Sequence, residues 1–168
     1  LSQYFGHAPL HASPIESFAH DASAHAASEQ LAKLFNQYGS DKATVHNYHL
    51  LYGAILNTPK NIGAVLEIGM GTNNEDVVST MGRGGHPGAS LRAFRDFLPN
   101  ARIYGADIDE RILFNEPRIE TFFVDQTDLT ITKQLFENLH QKFDLIIDDG
   151  LHAPNANISV LCAGLDYL

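Results

Sequence analysis

The chain has 168 residues, the length of one domain, and its 44% hydrophobic content is enough to fill a globular core. A formal net charge of −9 argues against a nucleic-acid groove, which needs clustered Lys and Arg, and would repel an anionic membrane surface. The single cysteine, Cys162, excludes an intrachain disulfide and a cysteine-based zinc cage. No apolar run reaches the roughly 20 residues of a membrane span, and no secretory signal is visible, so a cytoplasmic location is the default expectation.

Residues 1–26 are rich in Ala, Ser, His and Pro with poor periodicity, and read as a tail or irregular arm. His7, His11, His20 and His25 recur at no tight ligand spacing and read as scattered surface histidines. Residues 27–60 read as a helical segment. Leu31, Leu34 and Phe35 repeat at helical spacing over 28–38, with Gly39 as a stop, and Leu50, Leu51, Ile55 and Leu56 give 46–56 an apolar side.

From residue 61 onward strands and helices alternate. The pattern predicts a strand over 64–68, a long loop over 71–88, and a helix over 90–97 with Ser90 as its N-cap. A strand over 102–106 follows, then a helical turn over 109–114 and a strand over 120–124. A helix over 132–140, a strand over 143–147 and a helix over 157–168 complete the series. Cys162 lies in an apolar stretch of the last helix and reads as core. The alternation predicts an α/β fold over 61–168, Rossmann-like and doubly wound around a mostly parallel sheet. Right-handed crossovers give the strand order 3-2-1-4. The fourth strand then presents an open edge, which invites pairing and makes a homo-oligomer an expectation.

Ligands of open α/β sheets sit where strands end, so the strand ends carry the functional reading. The first strand runs into Gly69-Met70-Gly71, where glycines permit positive φ and close approach of a ligand. A nicotinamide-binding unit needs G-x-G-x-x-G opening directly into a helix, with an acid about 20 residues on. Here Asn74 stands at the third glycine position and the next strand-end acid is Asp107, which counts against an NAD-dependent oxidoreductase. Asp107 ends the second strand and is placed to accept hydrogen bonds from ribose hydroxyls. Asp109 reads either as a second such group or as a helix-start acid. Asp125 and Gln126 end the third strand, where one side chain can meet an adenine amino group; turn chemistry is the plainer alternative. Asp148, Asp149 and His152 follow the fourth strand. Adjacent carboxylates repel unless a cation or donors offset them. Mg²⁺ suits oxygen ligands, which makes Asp149 a candidate metal ligand, and His152 is a candidate general base near neutral pH.

An ordered set of runs resembles a known group: Tyr38-Gly39-Ser40-Asp41-Lys42, His46-Asn47-Tyr48, Val65 to Gly71, Gly88-Ala89-Ser90-Leu91-Arg92, Ile103 to Asp109, Asp125-Gln126-Thr127-Asp128 and Asp148-Asp149-Gly150-Leu151-His152. Over roughly residues 36–168 the chain is similar to class I methyltransferases related to the metal-dependent sugar O-methyltransferases of mycinamicin and tetracenomycin biosynthesis. The resemblance implies S-adenosylmethionine as cofactor, lined by Glu67, Gly69, Gly71, Ser90, Asp107, Asp125 and Gln126. It implies Mg²⁺ held at Asp149, His152 as the base, and a small-molecule hydroxyl acceptor, a sugar or natural product. Two departures stand out. Leu151 replaces the small hydroxyl residue usual before the histidine. The family also continues through a fifth strand whose Glu-Asp pair completes the metal site, so the expectation is a domain truncated after the fourth strand and its following helix. A cofactor-binding but inactive module acting through protein contacts is the alternative reading.

Overall fold

Four strands, β1 (Ala64–Ile68), β2 (Arg102–Asp107), β3 (Ile119–Phe123) and β4 (Leu145–Asp148), hydrogen-bond as one parallel sheet in the order β3-β2-β1-β4, as the crossover rule predicts. The structure is a computed structural model and describes Pro14, Ser17 and residues 21–168. The described residues therefore leave His7, His11 and His20 outside. Every residue of β1 is buried, because β1 has a neighbour on each side and helices over both faces.

The helices are α1 (Ala22–Tyr38), α2 (Tyr48–Ile55), α3 (Ala89–Phe97), α4 (Leu129–Leu139) and α5 (Pro154–Gly164). Side chains alternate across a strand, and the sheet divides the core accordingly. Val65 and Ile103 pack with Leu31, Phe35, Tyr52, Phe94 and Phe97 of α1 to α3. Leu66, Ile68, Tyr104 and Ala106 pack with Leu135, Phe136, Val160 and Ala163 of α4 and α5. Glu67 shares the pleat of Val65, so its side chain enters the layer of the N-terminal helices.

Capping moves several boundaries from their expected places. α1 begins at Ala22, inside the stretch read as an arm, because the Asp21 carboxylate accepts the Ala24 N–H at 2.7 Å. It ends at Gly39, whose φ of 77° lets the backbone N–H of Ser40 turn back to the Phe35 carbonyl at 2.8 Å. α4 begins three residues early because Asp128 accepts from the N–H groups of Thr130 and Ile131. α5 begins at Pro154, a residue suited to the first helical position, and a 3₁₀ turn over Leu165–Tyr167 follows it. Ser90 is not an N-cap: Gly88 occupies that place with φ 71°, and Ser90 lies inside α3. Cys162 is exposed rather than core. Ala156, Val160 and Ala163 form the inward stripe of α5, and Cys162 falls on the outward side with Ile158 and Leu161. None of the described helices is long and apolar enough to cross a membrane.

The crossing of α1 and α2 depends on a missing side chain. A Cβ at Gly53 would lie on the Ser28 hydroxyl and 2.5 Å from the Ser28 backbone nitrogen. Backbone cannot yield as a side-chain tip can, so Gly53→Ala should destabilise the protein by about 1–3 kcal/mol. Urea denaturation checks this; a midpoint equal to wild type would mean that the helices separate without cost.

Candidate functional site

Because all four strands run the same way, their C-terminal ends open on one edge. The register aligns Ile68 with Ala106 and Asp148, and Asp107 with Phe123. Gly69 leaves β1 with φ 90°, and a Cβ there would lie 2.5 Å from the Asp149 carbonyl carbon and from the Gly150 Cα. The turns after β1 and β4 therefore touch backbone to backbone. The Asp149 N–H donates to the Ile68 carbonyl at 2.8 Å across the same junction. Gly71, with φ 79°, opens the irregular segment that runs to α3. That helix does not start directly after the glycines, which agrees with the argument against a dinucleotide pyrophosphate site.

At the end of β2, Asp107 accepts the Met70 N–H at 2.7 Å on Oδ2 and the Asp109 N–H at 3.0 Å on Oδ1. Burial pushes its carboxyl up, against the pull of these donors. Asp109 is a clamp. It accepts from the Thr72 hydroxyl at 2.5 Å, the Asn74 amide at 2.7 Å and Arg111 Nε at 2.6 Å. Arg111 then reaches Asp76 with two further bonds of 3.1 Å, so the loop after β1 is tied to the end of β2. The Arg111 guanidinium, with Thr72 and Asn74, holds the Asp109 carboxyl well below the usual carboxylate range despite its burial.

Beyond β3, the Asp125 carboxylate accepts from the Thr127 N–H and hydroxyl, which is turn chemistry, while its residue still lines the groove. Gln126 ties two strand ends together. Its amide donates to Asp148 Oδ1 at 2.6 Å and its carbonyl accepts the Leu151 N–H at 2.9 Å. The other oxygen of Asp148 accepts from Asn157 Nδ2 at 2.8 Å. Asp148 is thus spent on fixing the turn, whereas Asp149 faces the groove.

The most concentrated charge lies beside Asp149. Lys42, only 4% exposed, hydrogen-bonds Asp149 Oδ2 through its ammonium and lies 3.1 Å from Glu67 Oε1. Glu67 is fully buried, and its second oxygen accepts from the Ser90 hydroxyl. Burial alone would lower the Lys42 pKa, but Glu67 and Asp149 outweigh it and hold the ammonium protonated above the ordinary lysine range. Burial pushes the Glu67 carboxyl up, with the Lys42 ammonium and the Ser90 hydroxyl opposing it. The remaining Asp149 oxygen, Oδ1, lies 3.5 Å from Nε2 of His152, an exposed ring on backbone with φ 56°. A non-glycine residue in that region is uncommon, and here it turns the imidazole back over Asp149.

Two cavities of about 440 and 450 Å³ lie along this edge and share Gly69, Val78, Ser79, Asp107, Gly150 and Leu151 as a common wall. Gly71, Ser90, Asp149 and His152 line the first, together with Lys42 and Tyr48. Ile108, Val124, Asp125 and Gln126 line the second. The sequence-predicted residues therefore gather along one continuous groove, except Glu67, which stands behind its wall. Sequence reasoning gave Lys42 no role. Its only signal was membership of the Tyr38–Lys42 run, since nothing local foretells that a lysine about 25 residues before Glu67 will reach it.

No protein-family model matches the chain. The fold, the strand-end chemistry and the comparisons with known proteins together define the class I methyltransferase fold. Within it, the chain resembles sugar O-methyltransferases of natural-product pathways. It is 30% identical over 123 residues to 8-demethyl-8-alpha-L-rhamnosyl tetracenomycin-C 2'-O-methyltransferase of Streptomyces olivaceus, a match covering 73% of this chain and 30% of that protein. It is 37% identical over 98 residues to mycinamicin VI 2''-O-methyltransferase of Micromonospora griseorubida, covering 55% and 24%. Among solved structures, MycE methyltransferase in complex with Mg and SAH superposes with a TM-score of 0.69 at 26% identity, covering 83% of this chain and 36% of that one. A complex of the same enzyme that also holds mycinamycin VI gives a TM-score of 0.69 at 27% identity. The chain spans less than a third of the length of the curated relatives it matches.

Magnesium can be tested against the donors present. Among the described residues no three His, Cys, Asp or Glu side chains converge as a cage. Mg²⁺ is commonly held through one or two carboxylates and keeps several waters, so the donor set offers it a partial shell in which Asp149 would bind through Oδ1, the oxygen Lys42 does not hold.

The Asp109 clamp makes a prediction about acid. Its carboxyl titrates below the unfolded value of about 3.9, so its stabilisation is fully present above that pH and is lost as pH falls toward the folded value. Asp109→Asn should lower the melting temperature at pH 7, and its deficit against wild type should shrink as pH drops below about 4. Thermal melts from neutral to acid pH check this. A deficit independent of pH would mean that shape, not charge, holds the loop.

Proposed function

We propose that this chain is the cofactor-binding core of an S-adenosylmethionine-dependent O-methyltransferase acting on a hydroxyl of a small molecule, a sugar carried on a natural product. The observation that carries the reading is the pair of cavities meeting at Gly69 and Asp107. An elongated nucleoside with a charged, reactive tail fits such a groove: ribose at the shared wall, adenine in the second cavity and the sulfonium in the first. The likeness to a methyltransferase solved with SAH supports the same ligand.

In this reading, the backbone of Gly69 and Gly71 admits the tail closely, and Asp107 accepts from the ribose hydroxyls. Ile108 and Val124 cover the adenine faces, with Asp125 or Gln126 at its edge. Gln126 already spends two hydrogen bonds on Asp148 and Leu151, so Asp125 is the freer of the two. Ser90 lines the first cavity and steadies Glu67 from beneath. His152 takes the acceptor's hydroxyl proton. An oxygen electron pair then forms the new C–O bond to the methyl carbon, and the C–S pair returns to sulfur, leaving a neutral thioether. Mg²⁺ at Asp149, when bound, would hold the acceptor and acidify its hydroxyl. Alignment of oxygen, methyl carbon and sulfur supplies much of the acceleration.

Calorimetry with S-adenosylhomocysteine tests the cofactor assignment. Asp107→Ala should weaken binding by about 1.5–3 kcal/mol if a charged hydrogen-bond partner is lost. Unchanged affinity in a cooperatively melting variant removes Asp107 from the site, and no binding by the wild type removes the cofactor.

Chemistry is tested with radiolabelled methyl transfer to a panel of glycosides. In a protein that supplies the rest of the metal shell, His152→Ala should lower turnover roughly 100-fold while leaving S-adenosylhomocysteine affinity nearly unchanged. Equal turnover would assign the proton to another group.

A further inference from the structure

We propose that, with no divalent cation bound, Lys42 sets the charge at the methyl-transfer end of the groove, and with it the balance of affinity between the cationic methyl donor and its neutral product. The proposal rests on the methyltransferase reading above. Lys42 and Asp149 both line the first cavity, and their ammonium and carboxylate are hydrogen-bonded to each other. Glu67 lies behind them, fully buried, and lines neither cavity. A ligand in the first cavity therefore faces an ammonium and a carboxylate that largely cancel. Without Lys42, it would face Asp149 uncancelled.

That cancellation matters because the donor and the product differ in one charge. The sulfonium of S-adenosylmethionine is cationic. When the C–S bond breaks and the methyl group passes to oxygen, the electron pair left on sulfur makes it neutral. An uncancelled Asp149 carboxylate would bind the cationic ground state most tightly, and tighter ground-state binding does not speed the chemical step. A fixed ammonium beside Asp149 relieves that excess attraction just where positive charge on sulfur is fading. Lys42 acts through Asp149 and needs no contact with the cofactor, which makes it a positioning residue. Its burial is consistent with this role, since a buried ammonium persists only when paired. The ring of Tyr48, centred 5.9 Å from Nζ, closes its remaining side.

The two ligands share every other group, so the ratio of their affinities reads the potential at sulfur. A merely structural lysine would change both affinities alike and leave the ratio alone. Calorimetry should be run with S-adenosylmethionine and S-adenosylhomocysteine on wild type, Lys42→Met, Lys42→Arg and Asp149→Asn, in chelator so that no divalent cation adds charge. A unit charge placed several ångströms from the sulfur shifts binding by about tenfold or more at an effective dielectric near 20. Lys42→Met should therefore shift the preference toward the donor by about tenfold. The sign holds whether or not Glu67 takes up a proton, because Glu67 does not face the groove. Lys42→Arg should stay within about twofold of wild type, since guanidinium keeps the charge.

Asp149→Asn should shift the preference the opposite way, toward the product, and it decides the matter if Lys42→Met does not fold. Ratios within about twofold of wild type in the folded charge variants overturn the proposal while leaving the methyltransferase reading intact. Failure of the wild type to bind either ligand overturns both.

Discussion

The site depends on one buried ammonium. β1 and β4 each deliver a carboxylate near their C-terminal ends, Glu67 from within the strand toward the N-terminal helices and Asp149 from just past its end. Two such groups beside each other in a poorly solvated place repel, and neither would hold its position alone. Lys42 resolves this by entering between them from the turn after α1. The interaction is not a source of large net stability, because desolvating three charges offsets much of their attraction. What it provides is order: α1, the turn to α2, the central strand and the turn after β4 are held in one arrangement. Burial also pushes up the Tyr52 hydroxyl, with Glu67 adding to the effect, so the same charges reach into α2.

The second organising device is the way the acids at the end of β2 are used. Asp107 and Asp109 both spend oxygens on the backbone and side chains of the segment after β1. The carboxylate nearest the groove fixes the turn at Met70, and its neighbour fixes the loop beyond it. The groove is therefore shaped before any ligand arrives, which lowers the ordering cost of binding.

The sequence made much of this legible. Strand alternation and strand ends were readable because a parallel sheet buried on both faces writes itself as apolar runs stopped by Gly and Asp. Strand order followed from handedness. Boundaries moved where a cap outweighed the apolar pattern, as Asp21 and Asp128 did, or where glycine took the place expected of Ser90. Cys162 was misplaced because α5 carries apolar residues on both its inward and outward sides, and composition alone does not tell them apart. Gly69, Asp107, Asp149 and His152 were singled out because they sit where strands stop, and the structure sets them along one cavity. Lys42 was not, because its partners come from two distant strands and only the folded chain brings them together. The resemblance, by contrast, did include its run, without saying what the lysine does.

The contact between Gly69 and the turn after β4 limits where the groove can be reshaped. A side chain at Gly69 meets backbone, and one at Gly150 meets the Gln126 amide that locks Asp148. Gly69 is closed to a side chain, and one at Gly150 must displace Gln126 from Asp148 and Leu151. Val78, by contrast, is 91% exposed on the loop that borders both cavities, and His46 and Tyr48 stack at 4.9 Å on the opposite rim. Side chains of other sizes therefore fit in those flanking segments and not in the floor of the groove.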